Sequence, residues 1–276
     1  MSSNISLKLY NLIKTGVIKT NANFWKSFYN EEYINTFPCD LQAVEQELKD
    51  KGINVISVFD ENFPSVNVKL KNSEKPYFFT YKGNIMLLNN VDKNVAVIGV
   101  LTPTNEIVER EEKVVKSLIE KDLNIVSGLA KGCDTVAHSE SVKNKTKTIA
   151  FLPSTIKNIY PKENMELAKE IINSGGLVVS EYVNEPKNKY ENVKRFIERD
   201  RLQALYSKTV VLIASFRKGE GDSGSRHAFE KAKEYGKKRL VMYRESDSNN
   251  LTFGFNKDYV KQGEKIISQK ILKNDF

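Results

Sequence analysis

From Asn94 to Arg244 the chain repeats one pattern: a short β-branched apolar run, then a longer charged stretch with helical spacing. The runs are "NVAVIGV", "LNIVSGL", "KTIAFLP", "LVVSEYV", "TVVLIAS" and "KRLVMYR", six in all, and five helical segments separate them. Continuous apolar runs mark strands covered on both faces. A strand-helix-strand order requires crossovers that leave those strands parallel. The pattern therefore predicts an α/β fold: a doubly wound, mostly parallel, Rossmann-like sheet, whose ligands bind beyond the carboxyl ends of its strands.

The flanks read differently. Residues 1–50 contain "LKLYNLIKTGVI" and "NFWKSFYNEEYI", with apolar residues three and four apart, and "DLQAVEQELKDKG", opened by Asp40 as an N-cap and closed by Gly52. Two β runs follow, "INVISVF" and "PYFFTYKGN", punctuated by Pro64 and Pro76. The expected organisation is a small N-terminal helical region over 1–50 and a Rossmann-like domain over 51–276. The end, "EKIISQKILKNDF", reads as a short helix or tail.

At 40% hydrophobic and 10% aromatic residues, the chain can bury a core and is not of disordered type. No secretory leader and no run of about 18 apolar residues is evident, so a cytoplasmic protein without a membrane span is expected. Cys39 and Cys133 stand far apart without a CxxC, which argues against a disulfide or a metal site. The formal net charge is +8, and the segment Lys187–Arg244 alone holds 16 Lys/Arg against 7 Asp/Glu. A localised basic excess points to an anionic partner such as nucleic acid, or else to a solvated face.

Three glycine-containing corners, "VIGVLTPTNE", "SGLAKGCDTVAH" and "GEGDSGSRHA", follow strands at one end of the expected sheet. Glycine lets the backbone approach a ligand and leaves amides at a helix start, so the corners suggest a shared anion-binding rim. Neither GxxxxGK[ST] nor an opening GxGxxG is present, which argues against a P-loop NTPase and ordinary NAD binding. Asp134 and His138, four residues apart on one helical face, could act as acid and base. With no nucleophile evident beside them, the structural reading is favoured: Asp134 caps the helix and His138 bonds beneath the corner.

"SGLAKGCDTVAH" resembles the "SGxAxGxDxxAH" signature of the DNA-processing protein A (DprA/Smf) family. Further motifs agree in order: "TIAFLPSTIKNIYPKEN", "GGLVVSEY", "FIERDRLQALYSKTVVLIAS" beside the family's "FPxRNRxxxxLS", "DSGSRHAFEKAKEYGKKRLVMY" beside "SGSxxTAxxAxxxGR", and upstream "YKGN". The resemblance, covering roughly residues 50 to 245, implies an extended Rossmann fold. It further implies a non-enzymatic single-stranded DNA binder that dimerises and loads a RecA-type recombinase during DNA uptake, with no cofactor. The site residues it suggests are Gly99, Ser127, Gly128, Lys131, Gly132, Lys194, Phe196, Arg199, Arg201, Ser223, Gly224, Ser225 and Arg226. The cations would neutralise phosphates, while Phe196 could stack on a base or belong to the core.

The chain departs from the family pattern at several points. Gly99, Val100 and Leu101 stand where the family has "GSR", Asp200 replaces the asparagine of "RNR", and Arg226 and His227 enter the "SGS" corner. No winged-helix pattern follows. These changes leave a free nucleotide as an alternative ligand, in a sensor module possible in defence. A phosphoribohydrolase of the lonely-guy type is disfavoured, because its catalytic glutamate falls on Ala228, with Glu230 two residues further round the helix.

Overall fold

The computed structural model describes residues 2–66 and 68–268. Four short helices come first: α1 (Asn4–Lys14), α2 (Asn21–Ser27), α3 (Glu31–Asn35) and α4 (Leu41–Asp50). Their starts follow from capping side chains, since an Ncap oxygen satisfies an otherwise orphaned amide. Asp40 accepts from the Ala43 amide at 3.0 Å, as its position suggests, and Asn30 from the Tyr33 amide at 2.9 Å. The second cap explains why "NFWKSFYNEEYI" is two helices and not one.

Strands β1 (Asn54–Ser57) and β2 (Phe78–Gly83) follow, then the alternating series: β3 (Asn94–Ile98), α5 (Asn105–Ile119), β4 (Asn124–Ser127), α6 (Cys133–Lys143), β5 (Thr148–Phe151), α7 (Met165–Asn173), β6 (Leu177–Ser180), α8 (Lys189–Leu205), β7 (Thr209–Leu212), α9 (Arg226–Glu234) and β8 (Lys238–Val241). Helix α10 (Gly254–Lys261) and strand β9 (Lys265–Ile266) close the described chain. The tail read as a helix thus contributes a two-residue edge strand paired with β8, while residues 269–276 lie outside the described residues.

Among the described residues the sheet has nine strands in the order β1-β2-β6-β5-β4-β3-β7-β8-β9. All neighbours from β6 to β9 run parallel, and β1 and β2 extend the edge antiparallel. Every residue of β3, β5, β6 and β7 is buried, which is the environment their unbroken apolar runs suit. Chain order reverses between β3 and β7, so the loops after these strands diverge and leave a crevice at their carboxyl ends.

The helical region shares its core with the edge extension. Leu9, Phe24, Ile34 and Val44 pack in one cluster with Val55, Tyr77 and Phe78. Tyr206, fully buried at the end of α8, donates its hydroxyl to the Pro64 carbonyl (2.8 Å) and stacks on Phe151 at 5.7 Å, fixing the extension to the sheet.

Candidate functional site

A groove of about 280 Å³ opens at the reversal point. The β3–α5 loop contributes Gly99 and Leu101, the β4–α6 corner Gly128, Ala130, Lys131 and Asp134, and the β7–α9 loop Asp222, Gly224 and Ser225. Pro153, Tyr160 and Pro161 come from the β5–α7 loop, and Phe196, Arg199, Asp200 and Gln203 from α8. The three corners converge as their sequence positions suggest.

Four of the corners' amides, however, are occupied. Asp134 Oδ2 accepts from the Gly128 and Ala130 amides at 3.1 and 3.2 Å. Asp222 accepts from the Leu101 amide at 2.7 Å and the Gly224 amide at 3.2 Å. Two carboxylates of the chain thus hold amides that the anion-rim expectation reserved for phosphate. Asp134 does shape the corner, but by bonding the preceding loop; the Ncap of α6 is Gly132, without a side-chain cap.

Arg199 lies across this floor, 4% exposed. Its Nη1 is 3.7 Å from Asp134 Oδ2 and its Nε 3.3 Å from Asp200 Oδ1, so the guanidinium sits between two carboxylates. Gly128 is glycine for a steric reason, because a Cβ there would coincide with the Arg199 guanidinium. Gly132 has φ +72°, and a Cβ would strike the Val100 and Leu101 backbone; it packs two corners together and does not line the groove.

The other expected site residues divide. Gly99, Lys131, Phe196, Gly224 and Ser225 line the groove, with Phe196 edge-on to Tyr160 at 5.7 Å. Ser127 is buried and donates to the Val97 carbonyl at 2.7 Å, a bond within the sheet. Arg201 is buried away from the groove, pairing with Glu181 (2.7 Å) and donating to the Glu74 carbonyl (3.0 Å). Residues two apart on a helix point roughly 200° apart, so Arg199 and Arg201 could not both face one ligand. Lys194, Ser223 and Arg226 are also off the lining; Lys194 pairs with Glu198 at 3.1 Å and Arg226 with Glu230 at 3.6 Å. Tyr160, Gln203 and Asp222 also line the groove and lie outside the expected set of site residues.

His138 is fully buried beneath the corner. Thr148 donates its hydroxyl to the Ile125 carbonyl, so it accepts from His138 Nδ1–H at 2.8 Å. Burial, with Arg199 adding to it, pulls the imidazole pKa from 6.5 to about 3. His138 is thus neutral and enclosed, the state that a structural role under the corner requires. Asp200 moves the other way, from 3.8 to about 7, through burial and the carboxylates of Asp134 and Asp222, with Arg199 opposing.

These shifts have opposite signs in stability. A depressed histidine loses stability as pH falls from 6.5 towards 3, because the unfolded chain takes up the proton first. A raised carboxyl contributes most below 3.8 and loses that contribution as pH rises through 7. The two therefore offset one another over much of the acid range. Relative to wild type, Asp200→Asn should lose up to about 1.4 kcal/mol of stability per pH unit on going from pH 7 to 4. Urea denaturation of both proteins at several pH values checks this, and parallel pH curves would refute it.

A groove this size at the switch point of a doubly wound sheet defines a Rossmann-like binding fold. The chain belongs to the DNA recombination-mediator protein A family, whose pattern matches residues 54–273. Protein Smf of Borreliella burgdorferi is 28% identical over 214 residues, covering 75% of this chain and 65% of that protein. DNA processing protein DprA of Streptococcus pneumoniae is 41% identical over 109 residues, 40% of this chain and 37% of that one. The chain thus spans under two-thirds of the length of these curated relatives. In structure it is similar to DprA from Streptococcus pneumoniae, with a TM-score of 0.70 and 26% identity, covering 99% and 93% of the two chains. DprA from Helicobacter pylori, solved to describe its single-stranded DNA binding mode, gives a TM-score of 0.65 and 25% identity over 81% of this chain and 96% of that one.

Proposed function

We propose that this chain is a single-stranded DNA-binding DNA-processing protein of the DprA type. The observation that carries the reading is the likeness to the Helicobacter pylori single-stranded DNA binder, together with a groove at the carboxyl ends of β3 and β7. Assistance to a RecA-type recombinase and homodimerisation belong to the same reading, through the family. The groove supports binding in preference to hydrolysis. Ala228 occupies the lining where the lonely-guy pattern places glutamate, and Glu230 is off the lining. A free nucleotide is the second reading, favoured by the small volume of the groove.

In this reading Lys131, on the groove's lining, and Lys194, off it, meet phosphates along the rim; their side chains are 57% and 52% exposed and pair with Glu163 and Glu198. Two such contacts give a log–log salt slope of about 1–2. In competition, single-stranded DNA should displace labelled single strand at least about tenfold better than duplex of the same length. Equal or tighter binding of duplex would count against the proposal.

A further inference from the structure

Strands β1 and β2 are antiparallel neighbours, which a turn of about two residues can join, yet the chain between them runs from 58 to 77. Irregular loops longer than about 12–15 residues are commonly functional. This one folds against the α2 end of the helical region and encloses a second cavity, of about 470 Å³, that shares no lining residue with the groove. Trp25, Tyr29 and Phe59 form a row of rings along it. Trp25 and Tyr29 have centroids 4.7 Å apart, and Tyr29 stacks on Phe59 at 5.7 Å. Tyr29 is nevertheless 57% exposed, so the row is open to solvent and not sealed in a core. The charged lining is Asp60, Glu61 and Lys75, a net −1 on a chain whose formal charge is +8. Asp60 is already committed to the Ser57 amide at 2.7 Å and to the Ser6 hydroxyl, whereas Glu61 is exposed and joins no ion pair among the described residues. Aromatic faces beside an uncommitted carboxylate make a surface that attracts cations.

The chain's own Lys75 shows which cation the surface accepts. Its Nζ stands 3.6 Å from the Trp25 ring centroid, and among the described residues no carboxylate pairs with it. The main chain there is held separately, since Trp25 Nε1–H donates to the Lys75 carbonyl at 2.9 Å. The butylammonium arm can therefore leave the ring without the loop moving. We propose that this cavity binds an aliphatic polyamine, with one ammonium taking the place of Lys75 on Trp25 and a second meeting Glu61. The methylenes between its ammoniums lie on aromatic and apolar walls as a lysine stem does. A carboxylate acceptor favours an ammonium that has N–H groups to donate over a quaternary one that has none. The cavity falls within the roughly 300–1,000 Å³ of small-ligand sites.

Trp25 is the only tryptophan of the chain, so its fluorescence reports on this place alone. Spermidine titrated into the full chain without DNA, at about 150 mM salt, should change that emission saturably, with the same midpoint by calorimetry. Choline and magnesium chloride at matched ionic strength should act at least about tenfold more weakly. Lys75→Met removes the internal competitor and should tighten spermidine binding about threefold or more. Glu61→Gln should weaken it about tenfold. Both positions are exposed, and circular dichroism confirms that the variants are folded. Unchanged affinity in either variant would overturn the proposal, as would the lack of any saturable response. An equal response to magnesium would reduce the effect to charge screening and overturn it too. Affinity for single-stranded DNA should stay that of the wild type in both variants, because the groove lies elsewhere. A loss there would overturn the assignment of a separate site, whereas failure of spermidine to bind leaves the DNA reading untouched.

Discussion

Arg201→Ala is expected to lower folding stability by about 3–5 kcal/mol, the cost of leaving a buried carboxylate without its cation. Arg201 and Glu181 are 5% and 9% exposed at their side chains. The same guanidinium also bonds the Glu198 and Glu74 carbonyls at 2.5 and 3.0 Å, so it ties α8 to the segment before β2. Asn21 donates to the same Glu181 oxygen at 3.2 Å, drawing the N-terminal helices into the network. Urea denaturation reads the loss directly. A change under about 1 kcal/mol would place the arginine among weakly coupled surface charges. Below the unfolding transition, affinity for single-stranded DNA should remain that of the wild type, because Arg201 is off the groove.

The second large effect is expected at Gly128. Even Gly128→Ala puts a methyl where the Arg199 guanidinium lies, and Arg199 has no slack between Asp134, Asp200 and the Phe151 carbonyl at 3.4 Å. The arginine must swing into the groove or the corner must shift. Overpacking of this kind costs about 1–3 kcal/mol, which a sheet of this size survives. Binding should suffer far more, by about a hundredfold or beyond, because the displaced side chain fills the space of the ligand. Titrating labelled single-stranded DNA into the folded variant tests this. Wild-type affinity would mean that the groove is not the binding site.

Much of this architecture could be read in advance, and the reasons are physical. Unbroken apolar runs and charged helical spacers have few solutions other than a parallel sheet, so β3 to β8 and α5 to α9 fall where the pattern puts them. Gly99, Gly128 and Gly132 marked the corners because a side chain at any of them would strike its neighbours. Helix α10 and strand β9 were not legible, since a short polar helix and a two-residue edge strand form from tertiary contact and not from local pattern. At the site, residue type alone did not reveal direction. "RDR" reads as a basic motif, yet its arginines diverge around the helix, which the two-residue spacing already implied. Whether Asp134 and Asp222 would serve a ligand or the chain's own amides depended on loop geometry, about which one sequence is silent.

The pairing of β2 with β6 also bears on how the protein is made. Thr80 lies opposite Ser180, and its hydroxyl bonds across to a carbonyl 100 residues later in the chain. At ribosomal rates of about 5–20 residues per second, that partner emerges roughly 5–20 seconds after β2. During the interval Phe79, which in the finished fold lies edge-on to Tyr206 at 5.9 Å, lacks that partner, whereas Phe78 already has the N-terminal helices to pack on. The strand can pair with β1, as it does in the end, but one of its edges stays open to other nascent chains. Slow translation through 84–180 would lengthen that exposure, and a holdase that shields the β1–β2 hairpin would raise the soluble yield.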